Sequence, residues 1–241
     1  MSSETMSQYS ALMVMKQEFP PEIIQKFLKL ELDRYLRGRA GETKKEQPLD
    51  HVEGQGYIHY RKGSLIMYAL QDYIGEDSVN LALRRIIDKW AYKEDRYITS
   101  DVYLEEFRKV TPDSLQYIIT DLFETITLFE NRIKEATYEE NGENNYTVQL
   151  DVSAIKYRSD SLGNEAKIPI NDWIDIGVYT EDEQGEDQLI YLQKHKINEE
   201  EMQFTIPVSK KPSKAGIDPI NVLIDRNPTD NRKRTVLKEA G

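Results

Sequence analysis

The spacing of apolar residues changes near residue 135, and this change constrains the fold more than any other feature of the 241-residue sequence. Before that point, apolar residues recur every three or four positions, as they do on one face of an α-helix. After it, apolar and polar residues alternate between turn residues, as they do in strands of a half-buried sheet. The sequence therefore predicts a multidomain α+β chain, with a helical domain at residues 1–135 and a β domain at residues 136–241.

The helical region contains several amphipathic segments separated by turn residues. Pro20 and Pro21 end one segment and begin the next, since proline is tolerated in the first turn of a helix but not in its interior. The stretch 38–56 lacks periodicity and is predicted to be a long loop, a kind of segment that is often functional. Further helical segments follow between His59 and Phe123, so a helical bundle or array is expected.

The β region contains short segments with a period of two, separated by glycine, asparagine and proline. A further apolar run near its end is also a strand candidate. Such a series of short strands predicts an antiparallel β-sandwich of the immunoglobulin-like kind. The predicted strands are 146–152, 173–179, 189–192, 202–206 and 220–225.

The composition excludes several kinds of site. The chain has no cysteine, which excludes disulfides, a thiol nucleophile and cysteine-ligated metals. Its formal net charge of -11 argues against nucleic acid as the main partner, because neutralising phosphates requires clustered Lys and Arg. No apolar run approaches the roughly 20 residues that a membrane-spanning helix needs, so the chain by itself is expected to be soluble.

Two short patterns begin two of the predicted helices. Glu4 and Tyr9 lie in the first, and Tyr60, Lys62 and Gly63 lie in the second. Taken singly, each pattern has an ordinary structural explanation. A carboxylate in a first helical turn is stabilised by the helix dipole, and a tyrosine at a helix start packs its ring while keeping its hydroxyl in contact with water.

Taken together, the two patterns resemble the aminopeptidase-N family of zinc metallopeptidases, the gluzincin aminopeptidases. That family carries HExxH, then a motif like N-E-G-F-A-x-Y on the next helix, and then Y-E-K-G. Glu4 and Tyr9 match the Glu and Tyr of the middle motif, and Tyr60, Lys62 and Gly63 match the last. The sequence departs from the family beside both matches, since Thr-Met-Ser follows the first Glu and an arginine follows the matched Tyr.

The segment 111–126 is similar to the end of the catalytic domain in a bacterial branch of this family. In that branch the peptidase-like region follows a multi-spanning, transporter-permease-like region. The resemblance implies that residues 1–135 are the helical subdomain of a thermolysin-like catalytic domain and that residues 136–241 are its β-sandwich. It also implies that the parent protein is bacterial and membrane-associated.

The resemblance implies specific roles for the matched residues. Glu4 would be the third zinc ligand of the parent protein, since catalytic zinc is often held by two histidines and one glutamate. Tyr60 would be catalytic, donating its phenolic O–H to the oxyanion formed when the N-terminal residue of a peptide is hydrolysed. Tyr9 would have a supporting role, and Lys62 and Gly63 would shape the helix start rather than take part in the chemistry.

The family's two zinc-binding histidines and its general base belong to HExxH, about eighteen residues before the third ligand. This chain has no HExxH, so the resemblance implies a C-terminal fragment that is inactive alone and binds no zinc tightly. Its partners in the parent would be the upstream catalytic half, the permease-like region and the peptide substrate. We also expect self-association through a truncated face that exposes Leu12 and Met13.

Alternatives remain at this stage. The parent could instead be a non-catalytic peptide-binding or assembly module that keeps the peptidase fold. His51 lies among loop carboxylates that could form a metal cluster, although such groupings recur by chance. His59 is expected to face solvent or to have a hydrogen-bond partner rather than to bind metal.

Overall fold

The computed structural model describes residues 3–93 and 97–238, and it contains helices together with two β-sheets. This mixture confirms the α+β class. The chain divides into two compact units, neither of which is continuous in sequence. The first comprises Met1–Thr127, Arg158–Ala166 and Val222–Ile224, and the second comprises Leu128–Tyr157, Lys167–Asn221 and Asp225–Gly241.

The helices all belong to the first unit. Pro21 occupies the first turn of the second helix, as expected, and Gly75 separates two helices with a φ of 85°, a conformation that glycine adopts without a steric penalty. The α-helices are α1 (Glu4–Glu18), α2 (Pro21–Gly41), α3 (Gly63–Ile74), α4 (Glu76–Trp90), α5 (Ser100–Val110) and α6 (Gln116–Ile119). A π-helix at Tyr57–Lys62 leads into α3, a 3₁₀ turn at Asp113–Leu115 precedes α6, and a second π-helix at Thr120–Glu124 follows α6.

The core of the first unit lies between these helices. Leu28, Leu32 and Leu65 are fully buried there, and α1 packs on α3. Leu12 on α1 is also fully buried, so the prediction that it lies on an exposed face is wrong. The reason is that α3, within the same chain, already covers this side of α1. None of the helices in the described ranges combines the length and apolar character needed to cross a membrane.

The strands form two sheets. The first has the order β3-β2-β1-β9, with β6 also paired to β2, and the second has the order β5-β4-β7-β8. Four of the five strands predicted from alternation lie within β2, β4, β5 and β6. The strands are β1 (Ile126–Glu140), β2 (Tyr146–Ser159), β3 (Glu165–Ile168), β4 (Asp172–Glu181), β5 (Asp187–Ile197), β6 (Glu201–Val208), β7 (Lys214–Ile217), β8 (Arg232–Arg234) and β9 (Val236–Leu237).

The fifth predicted strand, at 220–225, is wrong. The segment is irregular, and within it only Asp225 forms a β-bridge, to Phe129. Asn221 has a φ of 57°, which is incompatible with an extended strand. The apolar character of this run reflects its burial rather than a strand conformation.

Extended structure begins at Ile126, earlier than residue 135, where the alternating pattern becomes visible in the sequence. The first four residues of β1 are all buried, so the alternation of buried and exposed side chains that marks a half-buried strand does not begin there. The thermolysin-like and immunoglobulin-like assignments stay predictions.

Candidate functional site

The two segments that carry the motifs meet where α1 packs against the start of α3. Thr5, the residue after Glu4, is fully buried and donates a 2.8 Å hydrogen bond from Oγ1 to the carbonyl oxygen of His59. Gly63 makes the approach possible, because a Cβ atom there would lie only 2.5 Å from Thr5 Oγ1. The contact brings the backbone next to Glu4 against the backbone next to Tyr60.

Tyr60 lies in the π-helix Tyr57–Lys62, and its side chain is 41% exposed. A second glycine contact holds the other side of this segment, since a Cβ atom at Gly38 on α2 would lie 2.5 Å from the Cβ of Tyr57. The π-helix is therefore held between α1 and α2. Single π-turns are rare and occur frequently at functional sites.

Glu4 is the first residue of α1 and is partly exposed. The hydroxyl of Ser3 donates a hydrogen bond to its carboxylate. This hydrogen bond, followed by one from the backbone N–H of Glu4, lowers the pKa of the Glu4 carboxyl. The side chain is therefore a carboxylate at neutral pH and can accept hydrogen bonds or contribute one metal ligand.

His59 differs from the expectation. It is half-buried, and in the described part of the chain its Nδ1 atom is buried without a hydrogen-bond partner, so it neither faces solvent freely nor is satisfied. Burial lowers the pKa of His59, and the nearby Glu4 carboxylate opposes this shift. Sequence reasoning missed its position beside the motif residues. The available signal was its place immediately before Tyr60.

Tyr9 is buried, and its Oη atom donates a 3.1 Å hydrogen bond to Oε1 of Gln71 on α3. Burial raises the pKa of its hydroxyl, which stays protonated. Tyr9 therefore connects α1 to α3 through packing and a hydrogen bond.

Lys62 points into the interior of the first unit and is only 1% exposed. Its Nζ atom lies 5.5 Å from the centroid of the Tyr35 ring. Burial lowers the pKa of Lys62 to about 8, partly opposed by the Glu46 carboxylate. The buried stem of Lys62 contributes to packing, while its amine is a titratable group within the core.

Arg61 stands where the resembling family has glutamate, and a neighbouring charge accounts for this difference. Nη1 of Arg61 lies 3.2 and 3.0 Å from the two carboxylate oxygens of Glu31, which is almost completely buried. Arg34 contacts the same carboxylate at 3.0 Å. The cations at positions 34 and 61 together balance this buried anion.

The residues that the structure describes do not complete a metal site. Within residues 3–93 and 97–238, no group of three or more His, Cys, Asp or Glu side chains is arranged to hold a metal ion. His51 forms a 2.8 Å pair with Asp50, and the candidate cluster around it does not form a three-ligand group. Glu4 offers one carboxylate, whereas catalytic zinc needs three protein ligands.

Comparison with protein-family models gives no match, and comparison with curated proteins gives none. Among solved structures, the chain is similar to the flavohemoglobin from Malassezia yamatoensis with bound FAD and heme, at 13% sequence identity and a TM-score of 0.20. The alignment covers 88% of this chain and 58% of the flavohemoglobin chain. A TM-score this low carries no argument about fold or cofactors.

Proposed function

We propose that this chain is part of an aminopeptidase-N-like zinc metallopeptidase that hydrolyses N-terminal residues of peptides. In this proposal the first unit contains the end of a thermolysin-like catalytic domain, and a β-sandwich follows. The observation that supports it is the contact between the two motif-bearing segments, in which Thr5 bonds His59 and touches Gly63. Two motifs that are distant in sequence thus lie on adjoining backbone segments, as a shared site requires.

The matched side chains are suited to the proposed roles. Glu4 is an ionised carboxylate at a helix start, and Tyr60 presents a partly exposed phenol from a segment held on two sides. The backbone that carries the phenol is held in this way by α1 and α2. A hydrogen-bond donor on a positioned backbone is suited to electrostatic stabilisation of an oxyanion.

The zinc and its remaining ligands would be held outside this chain. Among residues 3–93 and 97–238, Glu4 is the one residue that matches a zinc ligand of the family. The other ligands and the general base would therefore come from HExxH in a longer polypeptide that also contains the permease-like region. When bound there, zinc would polarise the scissile carbonyl and lower the pKa of its water. The present chain would hydrolyse no peptide by itself.

The isolated chain should bind zinc only weakly, because one carboxylate cannot hold the ion. Isothermal titration calorimetry with zinc at neutral pH tests this, with Glu4→Ala as the comparison. Sub-micromolar binding that Glu4→Ala abolishes would contradict the proposed division of the site.

The sharpest test uses the longer polypeptide. Its coding sequence should contain HExxH about eighteen residues before Glu4. In that protein, Tyr60→Phe should lower kcat by about 10²–10³ while leaving KM nearly unchanged, since the phenol acts in the transition state.

Tyr92→Phe is the matched control, because Tyr92 is fully exposed and carries the same hydroxyl. An unchanged kcat in Tyr60→Phe would overturn the peptidase proposal. Loss of the histidines or the glutamate of HExxH would instead favour the non-catalytic peptide-binding or assembly module.

A further inference from the structure

Lys62 is a buried titratable group that the proposed chemistry leaves unused. Its side chain is almost completely inaccessible, and among the described residues its Nζ atom has no hydrogen-bond partner. Lysine is almost never fully buried without a partner, because the ammonium group loses its hydration. This burial therefore favours the neutral amine.

The carboxylate of Glu46, which attracts Lys62 through space, accepts hydrogen bonds from other side chains. Glu46 accepts hydrogen bonds from Oη of Tyr35 at 2.6 Å and from Nε of Arg39 at 2.7 Å. Glu46 and Asp50 attract the Lys62 ammonium through space, while Arg39 repels it. The ring of Tyr35 provides a cation–π contact at 5.5 Å, but it offers no hydrogen-bond acceptor comparable to water.

Lys62 is also the last residue of the π-helix that carries Tyr60. The first residue of this segment, Tyr57, stacks on Tyr35 with ring centroids 5.9 Å apart. Both ends of the π-helix therefore pack against one aromatic side chain of α2. An ammonium group at one end recovers its hydration when that end moves away from Tyr35 and water reaches it.

We propose that Lys62 is a proton switch for the π-helix Tyr57–Lys62. The neutral amine stabilises the closed segment described above, and protonation favours an open segment in which water reaches the ammonium. Opening would loosen the position of Tyr60. The switch itself rests only on this chain, whereas its consequence for catalysis rests on the proposed function.

The sign of the pH dependence follows from the burial. Burial lowers the pKa of Lys62 from its ordinary value of 10.5 to about 8. Below pH 8 the amine is charged in both the folded and the unfolded chain. Between these two values the unfolded chain holds more protons than the folded chain, so stability rises with pH. The whole difference corresponds to about two orders of magnitude in the folding equilibrium constant.

The first experiment measures urea unfolding of the wild-type chain and of Lys62→Met between pH 7 and about pH 9.5, below the ordinary pKa of tyrosine. Methionine keeps most of the buried stem without a charge. We expect the Lys62→Met variant to be more stable than the wild type at pH 7. Between pH 8 and 9.5, the folding equilibrium constant of the wild type should rise roughly tenfold relative to that of the variant.

Lys26→Met is the matched control, because Lys26 is an exposed lysine on α2. The unfolding free energy of this variant should change with pH in the same way as that of the wild type. Hydrogen exchange of the amides of residues 57–62 should be faster in the wild type than in Lys62→Met at pH 7, and the ratio should fall towards one at high pH. Parallel unfolding profiles for the wild type and Lys62→Met would overturn the proposal.

A second measurement on the wild type covers the case in which Lys62→Met does not fold. Carbon NMR of the lysine side chains should show one lysine that titrates near pH 8, apart from the group near the ordinary value of about 10.4. The absence of any such lysine would overturn the switch. Both measurements use no zinc and no peptide, so their outcome is independent of the peptidase proposal.

Discussion

Arg61 shows that the residue type at one position of a motif can depend on a neighbouring charge outside the motif. In the resembling family this position is a glutamate, yet here it faces the buried carboxylate of Glu31. Burying the Glu31 carboxylate carries a desolvation penalty, which its pairs with Arg61 and Arg34 offset. The local charge balance thus accounts for the arginine, while the rest of the Y-x-K-G pattern is unaffected.

Arg61→Glu, which introduces the residue of the resembling family, should therefore destabilise the chain. Because Arg34 still contacts Glu31 and Arg61 is partly exposed, we expect a loss of about 2–3 kcal/mol in unfolding free energy, below the loss for a wholly buried pair. Urea unfolding at pH 7 measures it, with Arg37→Glu on α2 as an exposed control. The loss should shrink in a Glu31→Gln background, and an equal loss in both backgrounds would contradict the explanation.

The spacing of apolar residues predicted most of the helices and strands, but not the elements whose form depends on tertiary packing. The helices from α2 to α5 and four strands follow from apolar spacing, because each presents one face to a core. The start of β1 could not be located, since Ile126 and its neighbours are buried on both faces. The π-helix was also missed, because the spacing of apolar residues does not distinguish its single widened turn from an α-helical turn.

For the candidate site, the sequence indicated residues but not their surroundings. Glu4 and Tyr60 were singled out by the resemblance of their two motifs to the aminopeptidase-N family, and their roles stay predictions. Their backbone segments lie together through Thr5. The burial of Lys62 and the unpartnered Nδ1 of His59 could not be predicted, because both depend on where α2 and α1 lie around the π-helix. Spacing along one chain carries no information about such neighbours.

The contact between α1 and α3 gives a direct test of this packing. Gly63→Ala should cost about 1–3 kcal/mol of stability, because the new methyl group overlaps Thr5 Oγ1 and pushes the segments apart. Gly41→Ala at the end of α2 is the control, since no atom lies within 4 Å of its Cβ position, and it should be neutral or slightly stabilising. Urea unfolding measures both.

A double-mutant cycle separates steric overlap from a general effect on the helix. Thr5→Ala removes the two atoms that the new methyl group would meet most closely. Gly63→Ala should therefore cost less in that background than in the wild type. The same loss of stability in both backgrounds would show that the close approach of Thr5 is not the reason why alanine is unfavourable at position 63.

The first unit of the molecule is assembled from three separate stretches of sequence. Arg39 on α2 reaches Ser159 at 2.8 Å and Glu165 at 3.1 Å, so its guanidinium group joins the helical stretch to the second stretch. Arg158 pairs with Asp121 at 2.8 Å in the same way. Residues 158–166 are therefore part of the helical unit, although they begin at the end of β2, the second of two long strands.

A chain limited to residues 1–127 should consequently be much less stable than the first unit of the full chain. It would leave Asp121 without Arg158 and the N–H of Glu46 without the carbonyl of Ser161, which it bonds at 2.9 Å. A hydrogen bond contributes about 0.5–1.5 kcal/mol to stability, and one to a charged group about 1.5–3 kcal/mol. The loss of several such interactions, together with the buried side chains of Val222, Leu223 and Ile224, approaches the whole stability of a domain.

Far-UV circular dichroism during urea unfolding would compare the 1–127 chain with the full chain. The control is Arg158→Ala in the full chain, which removes one of these interactions and should lower the unfolding midpoint only partly. We expect the short chain to unfold at a much lower urea concentration and with a broader transition, because its core lacks two of its three stretches. An unchanged midpoint in the short chain would show that residues 1–127 hold the helical unit together by themselves, and that residues 158–166 and 222–224 only lie against it.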